Sequence, residues 1–452
     1  MKKASIFLFV GILFLASCKK SEPRESSQGI FPYDIISDSL DNGLQLVTVP
    51  YESPGLVSFY IIVRVGSRNE VEPGKTGFAH FFEHMMFRGT DKYPPEEYGK
   101  VLKQIGASAN ANTWLDRTVY HMTGNAAMLN KMFEIEADRF QHLNYSEADF
   151  KVEAGAVKGE YTKNFSNQFR QINELLSDTA FKEHTYKHTT MGFYEDIVDM
   201  PNQYEYSKLF YDRFYRPEYT TLLVVGDAKP KEVKALAEKY FGNWKRGHYK
   251  PEIKEEPKQT KPRYAHIQNS NFTPVLSLNY KTPAFDPESK EVASLDLIST
   301  IAFSERSELY KRLVIEEQKA YNLMGYYYYT VDPYLFQIMA MVIDENDLQY
   351  VKDLITEKLD ELKKKPVDEK LLEQTKSRNK YQLLMELDDP SNIAEVLSYF
   401  IWVSNDPQAL NKYYKTLMSV TQEDIMNTAQ KYFVPEGLTI ITVSSKEEGG
   451  VK

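Results

Sequence analysis

The chain has 452 residues, a length that divides more naturally into two domains of roughly 200 residues each than into one core. With 42% hydrophobic and 26% charged residues, and 32 tyrosines and 25 phenylalanines for bulk, it has the composition of a packed globular protein, which excludes disorder of the whole chain. A formal charge of −9 with no basic stripe argues against a nucleic-acid partner.

In chain order the first feature is MKKASIFLFVGILFLASCKK, residues 1–20. Lys2 and Lys3 precede an apolar run from Ala4 to Ala16 that is too short to span a bilayer, the layout of a secretory signal. Its end, LASC, resembles the lipobox of bacterial lipoproteins, which implies cleavage after residue 17 and lipidation of Cys18. The expectation is an exported protein anchored to a membrane by lipid, in the periplasm or cell envelope. Cys18 is also the only cysteine, so no disulfide forms within the chain and stability must come from core burial. Residues 18–30 read as a lipidated polar tether.

SLDNGLQLVTVP (39–50) and LVSFYIIVRVGS (56–67) read as strands, with Asn42-Gly43 as turn residues. TGFAHFFEHMMFRGT (76–90) has the apolar density of a buried helix. GASANANTWLDRTVY (106–120) alternates small and polar residues, as an exposed edge strand does. SEADFKVEAGAVKGEYTKNF (146–165) reads as a helix capped by Ser146. RGHYKPEIKEEPKQTKPR (246–263), with three prolines and many charges, reads as a linker. It separates a first domain, 31–245, from a second, 264–452.

The two sides of that linker are alike. FYRPEYTTLLVVGD (214–227) is matched by YFVPEGLTIITVSS (432–445), and the helix pair in 132–161 by one in 354–381. Both pairings fall about 220 residues apart, which favours internal duplication. The expected fold is α+β, two homologous domains, each a mainly antiparallel sheet with helices packed on it.

The chemistry concentrates in the 76–90 stretch. His80 and His84 are four residues apart and share a helix face, with Cβ atoms roughly 5–6 Å apart, close enough to hold one zinc ion. Glu83 lies beside them without having to ligate, placed to take a proton from zinc-activated water. A third ligand is needed from another element. Glu153 and Glu160, on one face of the 146–165 helix, both qualify.

His80-x-x-Glu83-His84 followed by Glu160 resembles the inverted zinc motif of the pitrilysin/insulinase family of metallopeptidases. The likeness extends through 106–120 and 216–227 and, more weakly, through the second half. It implies that His80, His84 and Glu160 are the metal ligands, that Glu83 is the general base, and that Glu153 is a supporting acidic residue. It also implies that Asn110, Ala111, Asn112 and Thr113 form the strand on which an extended peptide pairs. One Zn2+ per chain is expected. In the second half Lys380 answers Glu160, and LDLISTIAF (295–303), the counterpart of the metal helix, has no histidine.

One departure from the family pattern stands out. Where many members carry an arginine and a tyrosine that reach the substrate, this chain has LVIEEQKAY (313–321), keeping Tyr321 but placing Val314 at the arginine position. The resemblance therefore implies a zinc endopeptidase for short or unfolded peptides, working as a homodimer or as a heterodimer with a related chain that supplies Arg and Tyr. The alternative is a catalytically weak, lipid-anchored peptide-binding or assembly subunit. His121, His142, His184, His188, His248 and His266 read as packing or surface residues.

Overall fold

A computed structural model describes residues 29–449 and 451. The expected signal segment 1–17, Cys18 and nearly all of the tether lie outside the described residues. Among those described, no helix is long and apolar enough to cross a membrane.

The first domain contains strands β1 (Ile36–Ser39), β2 (Gln45–Pro50), β3 (Leu56–Val63), β4 (Ser108–Thr113), β5 (Thr118–Asn125) and β6 (Thr220–Gly226). Its helices are α1 (Phe78–Met85), α2 (Pro95–Gln104), α3 (Leu129–His142), α4 (Glu147–Asn164), α5 (Gln168–Ala180), α6 (Tyr194–Asp199), α7 (Tyr204–Phe214) and α8 (Pro230–Phe241). Residues 244–262 carry neither helix nor strand. The second domain has β7 (Arg263–Gln268), β8 (Val275–Thr282), β9 (Ala320–Tyr327), β10 (Tyr334–Val342) and β11 (Leu438–Ser444). Its helices are α9 (Lys290–Phe303), a single turn α10 (Glu308–Tyr310) that runs into a π-helical turn, α11 (Leu348–Lys364), α12 (Glu369–Glu386), α13 (Pro390–Ser404), α14 (Ala409–Met418) and α15 (Gln422–Tyr432).

The sheets run β1-β2-β6-β3-β5-β4 and β7-β11-β8-β10-β9. In the first, β2 and β6 are parallel and the other pairs antiparallel; in the second, β7 and β11 are parallel and the others antiparallel. Setting β1 aside, the two orders coincide strand for strand, which is how a duplicated sequence folds. Both domains are thus mixed α+β, with helices packed on a largely antiparallel sheet.

The domains interlock. β3 and β6 are buried along almost their whole length, so both of their faces are covered. One face carries the first domain's own helices, with Phe59, Phe82 and Phe133 in a common core. The other receives α13 of the second domain, whose Ile393, Leu397 and Ile401 join Tyr60, Ile62, Leu223 and Val225. In exchange, α5 of the first domain packs on β7 and β11, placing Ile172, Leu176 and Ala180 against Ile441 and Val443.

Candidate active site

α1 begins at Gly77, whose φ of +90° is a left-handed conformation that glycine adopts without strain, and which has no side chain to cap the helix. The cap comes from upstream. Glu70 is buried and accepts N–H bonds from Gly77 (2.8 Å) and Ala79 (2.7 Å), and burial pushes its carboxyl up to about 8. α4 starts with a reciprocal capping box between Ser146 and Asp149, as the sequence position of Ser146 implies. The two helices pack side by side.

This packing brings His80 Nε2 to 3.4 Å and His84 Nε2 to 3.3 Å from the same oxygen, Oε2 of Glu160. One ligand atom from each of the three residues lies within 4.8 Å of the others. Ligand atoms on a tetrahedral zinc, each about 2.0–2.2 Å from the ion, sit about 3.3–3.5 Å from one another, so the donor set and its spacing fit zinc. The cluster is a single candidate metal site among the described residues.

The surrounding charges prepare these donors. His84 donates its Nδ1–H to Oε1 of Glu153 at 2.9 Å, which leaves Nε2 as the free electron pair toward Glu160. Glu153 is buried and is gripped on its other oxygen by Arg88, whose Nε lies at 2.5 Å. Burial would raise the Glu153 carboxyl, but the His84 and Arg88 bonds outweigh it and hold it below its ordinary value. Glu160, hydrogen-bonded to His80, is held down at about 2. Burial would lower His80, yet its bonds to Glu160 and Glu83 prevail and raise it to about 9. The negative charge that keeps a proton on His80 is the charge a dication exchanges for that proton.

Residues 50–193 match the family model "Insulinase (Peptidase family M16)", and residues 203–379 match "Peptidase M16 inactive domain". Over 405 residues the chain is 30% identical to the zinc protease PqqE of Helicobacter pylori, covering 88% of this chain and 90% of that one. The chain belongs to the insulinase family, peptidase family M16. With the His-His-Glu cluster formed inside that fold, this family member is a zinc metalloendopeptidase. The crystal structure of a protease from Helicobacter pylori is similar at 29% identity and a TM-score of 0.85, covering 91% of this chain and 99% of that one. The periplasmic protease PqqL from Escherichia coli shares the fold at 20% identity and a TM-score of 0.74, over 93% of this chain and 48% of that one.

In this peptidase Glu83 Oε2 stands 3.5 Å from Nδ1 of His80. Burial would raise its carboxyl, but hydrogen bonds with His80 and Thr113 hold it below its ordinary value. Thr113 ends β4, which among the described residues pairs only with β5 and leaves its other edge free beside α1. Along that edge strand Ala111 is buried and Asn110 exposed, while Asn112 is tied by its backbone oxygen to Arg117 at 2.9 Å. Tyr321 is not brought into the cluster. It lies on β9, the edge of the second sheet, 61% exposed, and among the described residues no hydrogen bond or ring contact joins it to the metal donors. Arg312 is engaged elsewhere, by Glu317 (2.7 Å) and Tyr350 (2.9 Å). Lys380, the counterpart of Glu160, is on α12, and Thr300 and its neighbours on α9 offer no imidazole.

Sequence reasoning missed Arg88, Thr113 as the neighbour of Glu83, and Glu70. Arg88 carries a usable signal, since it follows His84 by one helical turn. Glu70 carries none, because its partners are main-chain N–H groups.

Proposed function

We propose that this enzyme hydrolyses short or unfolded peptides laid along the free edge of β4, with His80, His84 and Glu160 holding one zinc ion and Glu83 as general base. The observation that carries this reading is Glu83, an ionised carboxylate held between a metal-site histidine and the last residue of an unpaired edge strand. Zinc bound there would supply Lewis-acid polarisation of the scissile carbonyl and would lower the pKa of water to about 7. The Glu83 carboxylate would accept a proton from the attacking water and return it to the leaving amine. Glu153 fixes the tautomer and direction of His84. The β4 edge, from Asn110 to Thr113, pairs with the peptide main chain by β-augmentation, so recognition rests on backbone more than on side chains.

Val314 offers no charge for a developing oxyanion, and Tyr321 is exposed, with no side-chain hydrogen bond or ring contact to another described residue. Both facts favour a functional dimer, in which a second chain, identical or related, completes the site and Tyr321 serves its partner. The segment 1–20 and the periplasmic description of the Escherichia coli relative support export, and the LASC sequence supports a lipid anchor on Cys18. A quenched-peptide assay on the purified chain, alone and mixed with a related chain that has the missing arginine, tests this. Zinc-dependent turnover that rises on mixing supports the heterodimer; full turnover alone supports the homodimer; none in either case leaves a peptide-binding subunit and contradicts the hydrolytic reading.

A further inference from the structure

β4 has two faces, and the metal chemistry uses one of them. Thr113 and Thr118 stand side by side, Oγ1 to Oγ1 at 3.4 Å, and Thr113 is the residue hydrogen-bonded to Glu83. Side chains alternate along a strand, so Asn110 and Asn112 point to the opposite face, with their partners His121 and Val119 on β5. Arg117 joins them. The Trp114 N–H bonds the Arg117 carbonyl oxygen at 2.8 Å, which carries the β4–β5 pairing one step further toward the turn and puts Arg117 in register with Asn112 and Val119.

This second face looks toward α13. Val119 shares a core with Leu397 and Ile401 of that helix, and His121 stacks on Tyr60 with ring centres 5.0 Å apart. Beside that core α13 presents Asn392, Glu395 and Tyr399 to solvent, successive positions of one helical stripe. Glu395 and Tyr399 are the groups whose charges act most strongly on Arg117, which places them across a solvent-facing corner from it.

Arg117 is half-buried in this corner and forms no ion pair among the described residues. Its Nη1 donates to the main-chain oxygen of Asn112 at 2.9 Å and to the Asn112 side-chain oxygen. Nε and Nη2, a pair of nitrogens able to fork onto a carboxylate, have no acceptor among the described residues, and neither is sealed from solvent. Two of the nearby carboxylates are engaged elsewhere. Asp116 accepts from the Tyr186 hydroxyl at 2.7 Å and the Val331 N–H at 3.2 Å, and Glu83 serves the metal site. Glu395 acts on Arg117 from beyond ion-pair distance. Burial pulls the Arg117 pKa down, the sign of a cation short of a counter-ion, and burial also holds His121 below its ordinary value, so that ring is uncharged at neutral pH. Paired strands lie about 4.8 Å apart, so a peptide on the free edge of β4 is two spacings from β5. Arg117 leans across to Asn112 and halves that gap, and the side chain of an aspartate or glutamate spans the remaining 5 Å or so, roughly one strand spacing.

We propose that Arg117 determines specificity: it receives the carboxylate of an aspartate or glutamate at the peptide position opposite Asn112. This rests on the β4 reading above. Anisotropy titrations of the zinc-loaded Glu83→Gln whole chain, with a dye-labelled unstructured peptide in which Glu, Gln, Ala or Lys is moved through successive positions, read binding without turnover. One position is expected at which Glu binds tighter than Gln by about tenfold or more. Adding Arg117→Gln should abolish that preference, and Arg117→Glu should turn it toward Lys, a gain that a damaged fold does not give. Glu395→Gln, at an exposed position, should widen it by about threefold, because a competing carboxylate is removed. Glu and Gln binding alike at every position, or a preference that survives Arg117→Gln, overturns the proposal. No peptide binding at all overturns the β4 reading and the Arg117 subsite with it. The wild-type chain should show the same preference in kcat/KM; selective binding without cleavage contradicts hydrolysis while the subsite stands.

Discussion

Glu83 stands 3.5 Å from His80 and beside Thr113, so an amide in its place removes a proton acceptor while leaving the three metal donors untouched. Glu83→Gln should keep its zinc, by metal analysis, and lose turnover by about 10²–10⁴-fold. Glu153 is hydrogen-bonded to His84 Nδ1 at 2.9 Å, and in the proposed role of positioning that ring Glu153→Ala should act first on the metal. Zinc affinity by chelator competition is expected to fall by about 10–100-fold, and a variant with wild-type affinity would remove Glu153 from its positioning role. At this scale the sequence was most informative about His80, Glu83 and His84, because helical spacing alone decides that i and i+4 share a face. It left Glu153 and Glu160 open, since both are on the right face of α4, and only the angle at which α4 crosses α1 puts Glu160 against both Nε2 atoms and Glu153 behind His84.

At the level of elements, α1 depends on a carboxylate outside it. Glu70→Ala leaves the N–H groups of Gly77 and Ala79 without an acceptor in a buried setting, which should destabilise the protein by about 2–4 kcal/mol in urea titration and weaken zinc binding in parallel. Loss of stability without any change in zinc affinity would show that the start of α1 does not position His80. Local signals made several elements legible. Ser146 marked the start of α4, the Asn42-Gly43 turn led into β2, and the paired Pro-Glu motifs before β6 and β11 exposed the duplication. The exchange of α13 and α5 between the domains was not legible, because an apolar helix shows that it is buried and not which sheet buries it. The 244–262 stretch is also less free than its prolines imply: Glu256 accepts from the N–H groups of Lys182 (2.8 Å) and Glu183 (3.0 Å), and Gln259 is buried.

Across the whole molecule, that exchange ties the two domains into one unit. Leu397→Ala on α13 should cost about 2–5 kcal/mol and lower a single calorimetric transition; two separated transitions would show that the domains unfold independently. Lys281 lies at the same junction. Its Nζ sits 3.1 Å from the centre of the Phe181 ring and has no hydrogen-bond partner among the described residues, and burial lowers its pKa to about 7. Between about 7 and its ordinary 10.5 the folded state binds fewer protons than the unfolded, so stability rises with pH across that window and the full penalty is present below it. Lys281→Met should therefore be more stable than wild type by about 1–2 kcal/mol at neutral pH, an advantage that shrinks as pH climbs toward 10.5. An advantage independent of pH would mean that the ammonium is not under strain.

The central claim is that His80, His84 and Glu160 hold one metal ion between α1 and α4. Anomalous scattering at the zinc edge from crystals of the zinc-loaded protein tests it most directly. The account predicts one strong peak per chain, within bonding distance of Nε2 of both histidines and Oε2 of Glu160. A peak at any other place, or zinc-loaded crystals with the Glu160 carboxylate turned away from both rings, would contradict it.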